Sequence, residues 1–147
     1  MQPRTPLKQD QIVLRVIAKL LMPLIFIFAL YVQFHGDYGP GGGFQAGVIF
    51  AAGMVLYALV FGLDAARSVT PPSALRRIAP IGVLLYAGVG VATMLLGENY
   101  LDYDAIDPHD PKHGQHMGIL LVELGVGLTV ASVMMLIFFA FAGRGRA

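Results

Sequence analysis

The chain has no cysteine and few charged residues, and both shortages narrow its class. Without cysteine it cannot form a disulfide, use a thiol nucleophile, ligate an iron–sulfur cluster or build a cysteine-based zinc site. Charged residues make up 13% of the 147 positions and apolar residues 56%, and the mean hydropathy is +0.70. Soluble domains are much less apolar. The composition predicts an integral membrane protein with no nucleic-acid partner and no separate catalytic domain.

Four apolar segments predict the fold. They cover residues 12–34, 43–63, 78–97 and 116–142. Each is long enough, as an α-helix, to cross a hydrocarbon core of about 30 Å. We therefore expect one all-α membrane domain over residues 1–147, with four transmembrane helices. The basic start of the first segment is also typical of a signal peptide, but no small-residue cleavage site follows it, so we interpret the segment as a retained span.

The Lys and Arg residues predict the orientation. Nine of the ten lie before or within the first span, between the second and third, or at the chain end: Arg4, Lys8, Arg15, Lys19, Arg67, Arg76, Arg77, Arg144 and Arg146. By the positive-inside rule, both termini and the central loop are cytoplasmic, and a Gly-rich loop and the loop at 98–115 face outside. The central loop contains Pro71 and Pro72, which predict a short connector that breaks the helices.

The loop at 98–115 is strongly acidic. Only Lys112 offsets its carboxylates, which are Glu98, Asp102, Asp104, Asp107 and Asp110. Such a loop either concentrates cations or is simply solvated. The neighbouring histidines, His109, His113 and His116, have helical spacing that would suit zinc, but Pro108, Pro111 and Gly114 argue against a continuous helix, and we predict no metal site. Asp104 and His113 are kept as candidates for an ion path.

Glu123 is the only carboxylate well inside a predicted span. It lies about seven residues beyond His116, or roughly 10 Å at about 1.5 Å per residue. An ionised side chain in a bilayer is costly, so it either marks an ion or proton path or hydrogen-bonds one helix to another.

Small residues form two stripes at helical spacing. One contains Gly43, Gly47 and Ala51, and the other contains Gly118, Gly125 and Ser132. Small side chains allow helices to approach closely, and we expect at least one stripe to contact another subunit.

The Gly-rich loop, HGDYGPGGGFQAGVI from His35 to Ile49, has the glycine content of a phosphate-binding loop. No strand precedes it and no Lys-Ser/Thr pair follows it, so nucleotide binding is not supported. The glycines instead predict a sharp turn back into the membrane. Such a turn can seat a neighbouring subunit, or its backbone polar groups can help a cation cross.

Three segments together resemble the MrpB/MnhB subunits of the Mrp/Mnh multi-subunit cation/proton antiporters. They are GPGGGFQAGVI ending at Ile49, LDY ending at Tyr103, and HGQHMGILLVELGVG ending at Gly127. The resemblance implies that Glu123 is the family's carboxylate. It also implies that the following residues match the family's signature loop: Pro40, Gly41, Gly42, Gly43, Phe44 and Gln45.

The resemblance also implies a function. It predicts a non-enzymatic, cofactor-free subunit of a complex in a bacterial or archaeal cell membrane that exchanges Na⁺ or K⁺ for protons. Its partners would include large subunits related to those of respiratory complex I. An alternative is a membrane subunit of an energy-converting hydrogenase or similar ion-pumping oxidoreductase. A third interpretation is a scaffold that touches no ion.

Overall fold

A computed structural model describes residues 9–39 and 41–144, and the predicted residues Arg4, Lys8, Pro40 and Arg146 lie outside these ranges. Its elements in chain order are helices α1 (Gln9–His35), α2 (Gly43–Phe61), α3 (Leu63–Val69) and α4 (Pro72–Leu95), a short 3-10 helix (Tyr103–Ile106) and α5 (Pro111–Ala142). Helices α1, α2, α4 and α5 are long and apolar enough to cross a membrane. The predicted all-α fold with four candidate spans is confirmed.

The central loop differs from the predicted short connector. After Gly62, whose φ of 97° suits glycine, the chain forms α3 and then starts α4 at Pro72, with Pro71 just before it. Proline is well tolerated in the first turn of a helix because the N–H that it lacks has no intrahelical partner there. The third span therefore begins six residues earlier than the predicted residue 78, because Pro72 starts a helix instead of breaking one.

Helix α5 also starts earlier than predicted, at Pro111 instead of residue 116. The Asp110 side chain accepts a hydrogen bond from the His113 backbone N–H at 3.3 Å and so caps the helix. Pro111 and Gly114 do not interrupt the helix, and the expectation that they would do so was wrong. The 32 residues of α5 extend for about 48 Å, which is longer than a hydrocarbon core of about 30 Å.

The four long helices form a row in the order α1, α2, α5, α4. Helix α2 packs against both α1 and α5, and α5 packs against both α2 and α4, whereas α1 touches α5 only slightly. Within the described ranges no extended contact joins α1 to α4. The row therefore has an open side between its two end helices.

Glycines allow the central helices of the row to approach closely. A Cβ on Gly47 would lie 2.8 Å from the Gly127 carbonyl oxygen, and one on Gly125 would lie 2.7 Å from the Gly82 carbonyl oxygen. The Thr129 hydroxyl lies 3.1 Å from the Ala79 carbonyl oxygen and links α5 to α4. These contacts hold α5 between α2 and α4.

Both predicted small-residue stripes are used for packing within the chain. Gly43 and Gly47 face α5, whereas Gly118 faces the Tyr103 ring and Gly125 faces α4. Helices and loops of the same chain therefore account for most of both stripes. Contact of either stripe with another subunit stays a prediction.

Replacing Gly82 by Ala should destabilise the α4–α5 contact. Its Cβ would meet the Gly125 carbonyl oxygen and the Thr129 side chain. Such overpacking lowers the free energy of unfolding by about 1–3 kcal/mol. Gly88→Ala is the matched control, because it lies on the same helix and its Cβ would meet nothing within 4 Å. We expect Gly88→Ala to be neutral or slightly stabilising when both are unfolded in detergent, and equal loss in the two would contradict this packing.

Candidate functional site

Glu123 lies about three turns into α5, where the Gly-rich loop surrounds it. A Cβ on Gly36 would meet both carboxylate oxygens, and one on Gly42 would lie 2.6 Å from Oε1. A Cβ on Gly43 would meet the Glu123 backbone carbonyl instead. The loop and the carboxylate, which are far apart in the sequence, therefore form one site.

The loop reaches Glu123 because it folds back along the end of α1. The Tyr38 N–H donates to the His35 carbonyl at 3.0 Å, and the Gly42 N–H donates to the Val32 carbonyl at 3.2 Å. Gly42 has φ 108°, a left-handed conformation that residues with a side chain rarely adopt. Glycine is therefore required at position 42 both for the backbone conformation and for the close approach to the carboxylate.

An ion pair ties the loop to α5 on one side of Glu123. The Asp37 carboxylate contacts Nδ1 of His116, about two turns before Glu123 on α5. The Tyr38 ring lies against the His116 imidazole, with 5.9 Å between the ring centroids. Asp37 and His116 thus hold the loop in place at the partly exposed end of the site.

Gln33 borders the site on the other side. Its side-chain oxygen approaches Gly127, which follows Glu123 by about one turn of α5. The residue is only 7% exposed, and its Nε2 has no hydrogen-bond partner among the described residues. Neither Gln33 nor Asp37 was predicted as a site residue from the sequence. The available signals were a lone amide near the end of an apolar span and a carboxylate within the Gly-rich loop.

The predicted candidates Asp104 and His113 do not join Glu123. Asp104 accepts a hydrogen bond from Gln115 Nε2 at 2.8 Å, and His113 Nδ1 lies 3.0 Å from an Asp107 carboxylate oxygen. His113 is exposed and lies about 15 Å along the helix from Glu123, at about 1.5 Å per residue. The structure places them at the solvated start of α5.

The histidines of this region face different carboxylates. His116 contacts Asp37 and His113 contacts Asp107, while His109 precedes the helix. Among residues 9–39 and 41–144, no three His, Asp or Glu side chains converge as a metal site.

Hydrogen bonding lowers the pKa of Asp107. The largest cause is the His113 side chain, followed by the backbone N–H groups of Asp110 and His109. A carboxylate whose pKa is lowered by folding contributes stability above its unfolded pKa and loses this contribution as the pH falls through the folded value. The contact between this loop and α5 is therefore intact at neutral pH and weakens only in strong acid.

The signature loop has two faces. Gly42 and Gly43 face Glu123, whereas the Phe44 side chain, 63% exposed, and the exposed Gln45 point away from it. Phe44 and Gln45 line a shallow hollow with residues of α1, among them Phe28 and Val32. Gly41 approaches the Val32 carbonyl oxygen. One half of the signature therefore builds the site and the other half is left for contacts outside the chain.

Residues 13–136 match the family model described as a domain related to the MnhB subunit of Na⁺/H⁺ antiporters. The chain belongs to the MnhB family. Proteins provisionally named antiporter subunit mnhB2 from Staphylococcus haemolyticus (strain JCSC1435) and Staphylococcus aureus (strain Newman) are similar to it. Each is 30% identical over 139 residues, which cover 93% of this chain and 98% of the relative. The MnhB match includes Gln33, Asp37, His116 and Glu123, and it confirms the resemblance inferred from three sequence segments.

Two alanine substitutions should separate contact with the Glu123 backbone from contact with its side chain. Gly43→Ala would place Cβ against the backbone carbonyl, and we expect it to lower the free energy of unfolding by about 1–3 kcal/mol. Gly36→Ala would meet only the carboxylate oxygens, which lie at the end of a flexible side chain. It should change stability by less than about 0.5 kcal/mol. Thermal unfolding in detergent measures both, and the reverse order would contradict the site geometry.

Proposed function

We propose that this MnhB-family chain is a non-catalytic subunit of a Na⁺/H⁺ antiporter that lines part of the ion path with Glu123. It also contributes to assembly of the complex. The proposal goes beyond family membership, because it assigns an ion-path role to one residue.

The observation that carries this proposal is that Glu123 lacks a partner within its own chain. Among the described residues, no Lys, Arg or His forms an ion pair with it, and no side chain of this part of the chain hydrogen-bonds to it. A carboxylate that served only to join two helices would need such a bond. An ionisable side chain in a span without a structural partner is typical of ion and proton paths.

The surroundings suit a carboxylate that exchanges its ligand. Gly36 and Gly42 bring only backbone up to its oxygens, so no bulky side chain blocks a proton or a small cation. Asp37 and His116 lie between Glu123 and the exposed end of the site. An ion that entered from this end would pass that pair and reach Glu123.

The acidic loop supports entry from the same end. Asp104 and Asp107 belong to a segment that packs against the first turns of α5, where His116 lies. A surface of one charge sign raises the local concentration of counter-ions. We assign Asp104 and His113 to this outer surface, not to the path beside Glu123. The positive-inside rule places this surface outside the cell and both termini in the cytoplasm.

The proposed setting is the cell membrane of a bacterium or archaeon. The partners would be other antiporter subunits, among them large subunits related to those of complex I, and the transported ions would be Na⁺ or K⁺ and H⁺. The hydrogenase-type alternative is less well supported, because the relatives are named as antiporter subunits. Genes for nickel or iron–sulfur subunits beside this one would favour that alternative.

Glu123→Gln tests the ion-path role in the assembled complex. Glutamine has nearly the same size but cannot bind and release a proton or provide a negative charge. We expect Na⁺-dependent dissipation of a proton gradient in vesicles to fall at least tenfold, while the amount of assembled complex stays constant. The matched control is Glu98→Gln, an exposed carboxylate of the acidic loop, which should keep nearly full activity. Full activity of Glu123→Gln would rule out the ion-path role.

A further inference from the structure

The open side of the helix row contains an apolar groove. Its walls come from α1 and the start of α4, and its floor from α2 and α5, and it encloses a cavity of about 370 Å³. We call it the open-side groove. It extends from Leu124 to Met135 along α5, or about 16 Å at about 1.5 Å per residue. This length corresponds to about three turns of a packed helix.

The shape of the open-side groove suits the side chains of another helix. Its floor contains small residues, including Ala46, Gly47 and Ala131, and its edges carry larger ones such as Leu30 and Phe50. Small residues let a neighbouring helix approach closely, and larger ones beside them interdigitate with its side chains. Shape alone would also admit a lipid acyl chain.

Gln33 distinguishes the two occupants. It lines the groove, is only 7% exposed, and has a side-chain Nε2 with no hydrogen-bond partner in residues 9–39 and 41–144. A buried donor without a partner is costly, and an acyl chain cannot accept a hydrogen bond. The side chain of a protein helix can do so.

We propose that the open-side groove receives a transmembrane helix of another antiporter subunit, which presents a hydrogen-bond acceptor to Gln33. The acceptor would be a side-chain oxygen of Ser, Thr, Asn or Gln facing α1 near its loop end. This inference rests on the proposed assembly role and identifies the surface that performs it. It also places a second subunit about one turn of α5 from Glu123, because Gln33 contacts Gly127.

Two groove variants test this docking in the complete complex, with an affinity tag on another subunit. Ala131→Phe would fill the groove, and we expect at least a tenfold loss of this chain from the purified complex. Gln33→Leu should reduce recovery severalfold, because it leaves the partner's acceptor unpaired. Ala52→Phe is the matched control, because Ala52 is exposed on α2 outside the groove, and recovery should stay within twofold. Recovery is divided by the amount of chain in the membrane, which corrects for variants that fail to fold.

The lipid alternative predicts a different result. If an acyl chain filled the groove, Gln33→Leu would make the lining more apolar, and the complex would assemble as well as before or better. That outcome, or normal assembly of Ala131→Phe, would overturn the proposal. Neither depends on transport activity, so failure of this proposal is distinguishable from failure of the role assigned to Glu123.

A photoreactive amino acid in place of Leu128 provides a test without a packing defect elsewhere, because Leu128 lines the groove. After illumination of membranes that contain the whole complex, mass spectrometry should find an adduct with a membrane-spanning peptide of another antiporter subunit. That peptide should contain a polar side chain within about one turn of the adduct. Adducts with phospholipid only, or with a second copy of this chain, would overturn the proposal.

Discussion

The close approach of the α2 start to the α5 backbone is the contact on which the site depends. Gly43 lies against the Glu123 backbone carbonyl, and Gly42 lies against the carboxylate. A side chain at either position would push the helices apart and move the carboxylate. The same contact fixes where the chain re-enters the helix row after α1, and it therefore fixes the positions of Asp37 and Gln33 on the two sides of Glu123. Packing and site geometry are thus one constraint.

The row arrangement explains why the chain has both an interior and a surface for partners. Helix α5 is held between α2 and α4 by glycine contacts, and it presents Glu123 to the loop from this central position. The end helices α1 and α4 have neighbours on one side only and stay largely exposed. A chain of this size cannot cover all of its apolar helix faces by itself. Belonging to a multi-subunit antiporter agrees with this geometry, because partners can cover the faces left open.

Much of the fold could be predicted from the sequence, and the errors have clear causes. Hydropathy identified the four spans, because about 20 consecutive apolar residues have few other uses. It placed the starts of α4 and α5 too late, since both begin with proline and polar residues that hydropathy does not count. Pro72 and Pro111 were interpreted as breaks, although proline is well suited to the first turn of a helix.

The sequence by itself determined the membrane class, the four helices, the family and the importance of Glu123 and the Gly-rich loop. These follow from composition and local pattern, which need no knowledge of neighbours in space. Only the tertiary structure decided that the loop surrounds Glu123, that Asp37 pairs with His116, and that Asp104 and His113 stay at the solvated end of α5. These facts depend on how α1, α2 and α5 pack, and contacts between residues about 80 positions apart leave no periodic trace in the chain.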